Sequence, residues 1–236
     1  LRGPSVGGMR ISERLTMLTF PVGQGYLWRD GSSLTLIDTG IAGSGEQIAQ
    51  AVAGLGLDPA DIERVVITHA HNDHMGSAAE VRGWHGAQVL AHRAEADVVR
   101  GIAPPGIPVM ADWEVEIFVA TLPHVPPAPP CPVDVELVGG EVLDFGGGAH
   151  VVPVPGHTDG SVAVFLPAHG VLFTGDTIAF HEGRTILGVL NTDPERAVAS
   201  MRVQADLGAE TVCFGHGEPL VTGGASALRA AVSRLE

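Results

Sequence analysis

The sequence predicts an α+β fold in which two packed sheets are covered by helices. It places one domain over residues 15–236, behind an N-terminal tail at residues 1–14. Three observations lead there. Each half of the chain opens with short strands and turns later to strand–helix alternation. No G-x-G-x-x-G run follows a strand and no Walker A motif occurs, which sets aside a nucleotide-binding sheet with crossovers throughout. Hydrophobic residues make up 45% of the chain, yet no run approaches 18 apolar residues, so the apolar content belongs to a core and not to a membrane span.

The opening segment, LRGPSVGGMRIS, is rich in glycine and has no apolar stretch behind its arginines, so it does not read as a signal peptide. Alternating apolar and β-branched residues predict strands near 15–20, 25–29 and 33–38, with Asp30–Gly31 a hairpin turn between the last two. From Asp38 the spacing becomes helical, with Ile48, Val52 and Leu55 on one face. Asp58–Pro59 marks a turn, VVIT at 65–68 a strand, residues 76–83 a helix, QVLA at 88–91 a strand and HRAEADVV a further helix. Residues 101–134 hold more than half of the 17 prolines and predict an irregular, stiff insertion with one short strand near EIFVA. It would form a rim facing substrate or a decorated connection. Five short strands follow, in VDVELVGG, EVLDF, HVVPVPG, VAVFL and GVLFTGD. Asp193 and Pro194 open a helix as N-cap and first residue, and strand TVCFG and a helix over 224–235 end the chain.

Charge excludes several function classes. There are 27 acidic residues against 13 basic ones, a formal net charge of −14, and every basic residue is arginine. Without a basic cluster, neither a nucleic-acid backbone nor an anionic membrane is an expected partner; a small-molecule substrate is. The absence of lysine removes that residue from every mechanistic role. Cys131 and Cys213 form no C-x-x-C pattern, Cys213 reads as a packing residue in an apolar strand, and a reducing cytoplasm is the expected compartment.

The chemistry concentrates in THAHNDHMG, residues 68–76, where His69, His71, Asp73 and His74 fall within six positions. Imidazole and carboxylate are ligands for zinc and for iron or manganese, and four of them exceed what one open catalytic ion takes from a single segment. Three further candidates stand at strand ends, each after a glycine: His157 in VPGHTDGS, Asp176 in LFTGDT and His216 in CFGHGEP. Glycine there permits a sharp turn and a close approach. Any one of these histidines alone is more often structural than a ligand. All seven together divide into two three-ligand sites and one bridging carboxylate. Among the other histidines, His92 is expected to start or cap a helix, while His124 and His181 lie in segments with access to a pocket. Arg184 is the one charge placed to meet an anionic substrate group, with solvation as the alternative. Tyr26, Trp28, Met110, Trp113, Phe118 and Phe180 are candidates for pocket walls or for core.

These motifs resemble the metallo-beta-lactamase fold superfamily over about residues 15–235: THAHNDHMG matches its H-x-H-x-D-H signature, LIDTG at 36–40 its earlier acidic motif, and PGHTDGS, FTGD and FGHGEP its later metal-binding segments in order. The resemblance implies a four-layered αββα sandwich with metals between the edges of two sheets. It implies that His69, His71 and His157 hold one divalent ion, that Asp73, His74 and His216 hold the other, and that Asp176 bridges them, with Asp38 steadying the ligand loop. Zinc is the first expectation for both ions, with iron or manganese next. The implied activity is metal-dependent hydrolysis, a shared hydroxide attacking an ester, thioester or lactone carbonyl while Asp73 orients it and relays a proton. Two alternatives are a mononuclear iron sulfur-dioxygenase-like oxidoreductase and a true beta-lactamase. The zinc beta-lactamases commonly carry a cysteine at the position of Asp73 or a substrate-gripping lysine, and this chain has neither. Ala179 stands where homoserine-lactone hydrolases commonly have tyrosine, and the basic glutathione-binding residues of glyoxalase II are not visible.

Overall fold

The computed structural model describes residues 8–235. Its first sheet runs, in spatial and chain order, through β1 (Met9–Arg10), β2 (Leu15–Thr19), β3 (Gln24–Asp30), β4 (Ser33–Ile37), β5 (Ile62–Ile67), β6 (Gln88–His92) and β7 (Val135–Leu137). Pairing is antiparallel up to β4 and parallel from β4 to β7. Helices α1 (Gly45–Gly54), α2 (Asn72–Met75), α3 (Ala78–His85), α4 (Arg93–Val99) and α5 (Asp112–Thr121) lie in the connections. The second sheet takes β8 (Val142–Leu143), β9 (Ala149–Pro153), β10 (Val162–Leu166) and β11 (Val171–Phe173), and ends on β14 (Thr211–Cys213), which pairs with β11 in parallel. Between them in sequence come a hairpin, β12 (Ile178–His181) and β13 (Arg184–Leu187), and helix α6 (Pro194–Asp206); α7 (Gly224–Val232) follows β14.

The layering follows from side-chain alternation. Val65 and Ile67 of β5 face a core shared with Ile48 and Val52 of α1 and Val81 of α3, whereas Val66 between them faces a core shared with the second sheet. In β10, Val162, Val164 and Leu166 face the first sheet, and Ala163 faces Met201 and Ala205 of α6 and Leu228 of α7. Strands buried on both faces read as continuous apolar runs. Three stacked cores require helix, sheet, sheet, helix: the four-layered αββα sandwich expected from the sequence.

Strand direction then positions the site. β4 and β5 are parallel, and β9, β11 and β14 share one direction because β10 is antiparallel to both of its neighbours. Each of these five strands is followed by one of the segments that carry Asp38, His69–His74, His157, Asp176 or His216, and the five segments meet at one edge of the sandwich.

Several expectations are corrected. Of the tail expected over residues 1–14, residues 1–7 lie outside the described residues, while Met9 and Arg10 pair with β2. EIFVA is not a strand but part of α5, whose first turn holds Asp112 and Glu114 where acidic residues favour a helix N-terminus. The strand in VDVELVGG, to which the sequence assigns no sheet, is β7 at the edge of the first sheet beside β6. The helix expected over 76–83 is α3, at Ala78–His85, and a separate short helix not expected from the sequence, α2 at Asn72–Met75, precedes it across Gly76–Ser77. The β12–β13 hairpin was not expected; its turn residues Glu182 (φ 49°) and Gly183 (φ 76°) both have positive φ, as a type I′ turn demands. The Asp193 N-cap and the His92 N-cap are found as expected, while the hairpin turn expected at Asp30–Gly31 lies one residue later, at Gly31–Ser32, with Asp30 closing β3. No helix among the described residues is long and apolar enough to cross a membrane.

Candidate metal centre

All seven predicted ligands come together, in two clusters. His69, His71 and His157 each offer a nitrogen within 4.8 Å of the others, and Asp73, His74, Asp176 and His216 do the same with nitrogen and carboxylate oxygen. The short helix α2 makes this division. His69 and His71 precede it and turn to the first cluster, while Asp73 and His74 lie within it and face the second.

In the first cluster, His71 Nδ1 lies 3.1 Å from His69 Nε2 and 3.0 Å from His157 Nε2. The three rings stand nearly perpendicular, at 81° to 85°. Nitrogens on a tetrahedral zinc are about 3.3 Å apart, given the usual Zn–N length. A single proton on His71 Nδ1 cannot serve both neighbours, so this is a donor set short of hydrogens and suited to a cation.

Asp38 sets the tautomers. It is buried after β4 at φ 57°, a left-handed conformation that aspartate tolerates better than most residues and that marks strain held at a functional site. Its carboxylate accepts from Thr68 N (2.8 Å), Thr68 Oγ1 (2.7 Å) and His74 Nδ1 (2.9 Å). Thr68 Oγ1, its proton used on Asp38, can only accept from His69 Nδ1 at 3.0 Å. Both His69 and His74 therefore carry a proton on Nδ1 and aim Nε2 at the clusters, the usual partnership of a ligating imidazole with a carboxylate behind it.

In the second cluster, His216 Nε2 lies 3.2 Å from Asp73 Oδ2 and 3.1 Å from Asp176 Oδ2. His74 Nε2 and Asp176 Oδ1 face each other at 3.2 Å, both buried and without a hydrogen-bond partner, and a cation coordinated by both would satisfy them instead. Asp176 Oδ2 also lies 3.9 Å from His69 Nε2 and 3.8 Å from His157 Nε2, so this carboxylate reaches both clusters.

Electrostatics separates the clusters. Burial, reinforced by neighbouring imidazoles, pushes His157 down to about 3 and His69 well below its ordinary range, so the first cluster is neutral. In the second, burial opposes ionisation throughout but is outweighed. Asp176 and Asp73 raise His216 to about 10, while His74 and His216 hold Asp73 down to about 2. Without metal, protons on His74 and His216 supply the positive charge that the two carboxylates demand. The donor chemistry of both clusters fits divalent metal.

The glycines before the late ligands act in two ways. Gly156 and Gly175 have φ of 134° and 53°, where a side chain is strained. Gly215 instead provides space, because a Cβ there would fall on Asp176 Oδ1.

Glu95, buried in the first turn of α4, was missed from sequence. One carboxylate oxygen accepts from Ala70 N (2.9 Å), between His69 and His71, and the other from Gly160 N (2.8 Å), three residues past His157. Glu95 thus ties together the two loops that form the first cluster. A Cβ at Gly160 would come within 2.7 Å of Glu95 Cγ, so only glycine admits this bond.

Other candidates fall elsewhere. Tyr26 and Trp28 are core, the Tyr26 hydroxyl donating to Phe214 O at 2.7 Å. Phe180 stacks on Phe214. His124, His181 and Arg184 are exposed, and Cys131 and Cys213 are buried free thiols.

Comparison with known proteins agrees with this fold. The family model described as the metallo-beta-lactamase superfamily matches residues 19–216. The chain is 27% identical over 215 residues to the uncharacterized protein YobT of Bacillus subtilis, covering 84% of each. It is 29% identical over 158 residues to a hydroxyacylglutathione hydrolase of Cereibacter sphaeroides, covering 66% of this chain but only 48% of that one, so it spans about half the length of that relative. Among solved structures it is similar to a metallo-beta-lactamase family protein from Thermus thermophilus, with a TM-score of 0.66, 25% identity and coverage of 94% and 77%. A class B3 di-zinc metallo-beta-lactamase from an Alaskan soil metagenome shares the fold at a TM-score of 0.72 and 17% identity, covering 97% of this chain and 91% of that one.

Proposed function

The chain belongs to the metallo-beta-lactamase superfamily, and we propose that it is a metal-dependent hydrolase of a small ester, thioester or lactone, working with two divalent ions, zinc before iron or manganese. The observation that carries this reading is that both clusters are complete and that Asp176 reaches both. A mononuclear oxygenase has no need of the second cluster.

His69, His71 and His157 would hold one ion, Asp73, His74 and His216 the other, with Asp176 between them. Bound divalent ions supply Lewis acidity and a low pKa for water, which places a nucleophile at a carbonyl near neutral pH. The protein's own part is to orient and to move protons. The Asp73 carboxylate, in the second cluster, would orient the attacking water and relay its proton to the leaving oxygen or sulfur. Asp38 and Thr68 keep the His69 and His74 lone pairs inward. The setting included in this reading is a reducing cytoplasm, in keeping with the two buried free thiols.

The test is metal analysis joined to a substrate screen. Protein reconstituted with zinc, manganese or iron should bind close to two ions and hydrolyse at least one of a panel of thioesters, aryl esters and lactones. Fewer than one ion bound, with no hydrolysis gained on adding metal, would overturn the reading.

A further inference from the structure

We propose that residues 102–128 form an apolar strap beside the ligand clusters that receives a neutral apolar chain of the substrate, the acyl or alkyl part of the ester, thioester or lactone. This rests on the hydrolase reading and names its substrate class.

The strap is tethered at both ends to the loops that carry the ligands. At its start, Val109 N donates to Asn191 O (2.8 Å) and Glu114 Oε1 accepts from Leu190 N (2.9 Å). The next residue, Thr192, donates its N–H to His157 O at 3.1 Å. At its end, Ala128 N donates to the side chain of Asn72 at 3.0 Å, and Asn72 lies between His71 and Asp73. The chain between these tethers therefore passes from the His157 side of the clusters to the His71–Asp73 side.

What it presents there is apolar and uncovered. Val119 is 63% exposed, Val109 61% and Trp113 56%. In α5 the buried residue is not apolar but Glu114, whose carboxylate is used on Ala111 N and Leu190 N. A helix in a sandwich ordinarily docks by its apolar face. This one is held by backbone amides through a carboxylate, which leaves its apolar flanks free: Trp113 with Ile117 on one, Val115 with Val119 on the other. A run of exposed apolar residues of this size marks a binding surface.

Charge selects the occupant. No arginine or lysine occurs between Arg100 and Arg184, and Asp112 and Glu116 are exposed on α5. Neither an anionic lipid headgroup nor a substrate carboxylate finds a cation on the strap. A second copy docking through the same patch would gather two copies each of Asp112 and Glu116, with no arginine or lysine of the strap, into one interface. An uncharged hydrocarbon chain meets no such cost, and its carbonyl end would lie beside the clusters.

The experiment is a chain-length series of p-nitrophenyl esters from acetate to octanoate on the zinc-loaded protein, with 1-octanol and 1-butanol binding followed by tryptophan fluorescence. Burying one methylene multiplies affinity about fourfold, so kcat/KM should rise at least tenfold along the series even if only two methylenes are covered. The rise should collapse in Trp113→Ser with Ile117→Ser, or in Val115→Ser with Val119→Ser. It should persist in Val203→Ser, an exposed valine on α6 away from the strap. Octanol, but not butanol, should saturate. A flat series, or a rise unchanged in both double variants, overturns the strap while hydrolysis stands. Saturable octanol binding, with no hydrolysis of any p-nitrophenyl ester and of none of the thioesters and lactones in the panel above, upholds the strap and sinks the hydrolase reading. No octanol binding, with a dimer by light scattering that Trp113→Ser dissociates, overturns the proposal in favour of a second copy as the occupant.

Discussion

The two ligand clusters share Asp176 and one edge of the sandwich, yet they are built on opposite principles. The first is three neutral imidazoles, with His69 and His157 buried. The second has two carboxylates and two imidazoles, and the His216 side chain is 40% exposed. The first would hold a cation by a rigid set of nitrogens whose affinity for protons has already been lowered by burial. The second would hold one by charge that the metal-free protein must neutralise with protons. Geometry should therefore govern the first cluster and charge the second, so substitutions that disturb one principle should leave the other cluster loaded.

The largest effect is expected where this separation fails, at Asp176. Asp176→Ala removes a carboxylate within reach of both clusters, and metal content should fall below one ion per chain with hydrolysis undetectable, as read by elemental analysis and turnover. Two ions retained would deny it the bridging position. Asp73→Ala should act on one side only. The second ion is lost or weakened, the first remains, and turnover falls roughly 10²–10⁴-fold for the loss of the proton acceptor. Loss of both ions would show that the second cluster supports the first, contrary to a division between geometry and charge.

The same division explains what sequence could reveal. Four ligands in THAHNDHMG were legible because they are adjacent. His157, Asp176 and His216 were legible because each follows a strand and a glycine, and the parallel run of β9, β11 and β14 gathers such positions at one edge. Glu95 was not, since its partners lie 25 and 65 residues away and its surroundings in HRAEADVV read as an ordinary amphipathic helix. Its one local signal is position: it stands beside Ala96 and is followed by Val99, both buried, so a carboxylate sits on the core-facing side of α4. The strand expected at EIFVA failed for a related reason. Its β-branched residues favour a strand locally, but Glu114 anchors the segment to the Leu190 amide as a helix, and tertiary bonding overrides the propensity. The β12–β13 hairpin leaves a weaker signal: Glu182–Gly183 stands between two short runs where Asn-Gly or Asp-Gly is the usual pair.

The smallest and most selective effect is expected from Glu95→Gln. Glu95 touches neither cluster; it spaces the His69–His71 backbone from the His157 loop by accepting one amide with each oxygen. Glutamine fills the same volume but offers one acceptor, so its NH₂ must face either the Ala70 or the Gly160 amide. The two loops should part slightly, and the cluster that depends on geometry should suffer alone. Partners behind a metal ligand typically contribute 10–100-fold in affinity when changed. A chelator titration of the Glu95→Gln protein should show the nitrogen-site ion weakened by roughly that factor, with the carboxylate-site ion released at the unchanged chelator concentration. Gly160→Ala, which drives a Cβ toward Glu95 Cγ, should reproduce the selectivity from the other side of the bond. Equal weakening of both ions in either variant would mean that Glu95 supports the whole edge of the sandwich, and the contrast between a geometric and an electrostatic site would lose its clearest support.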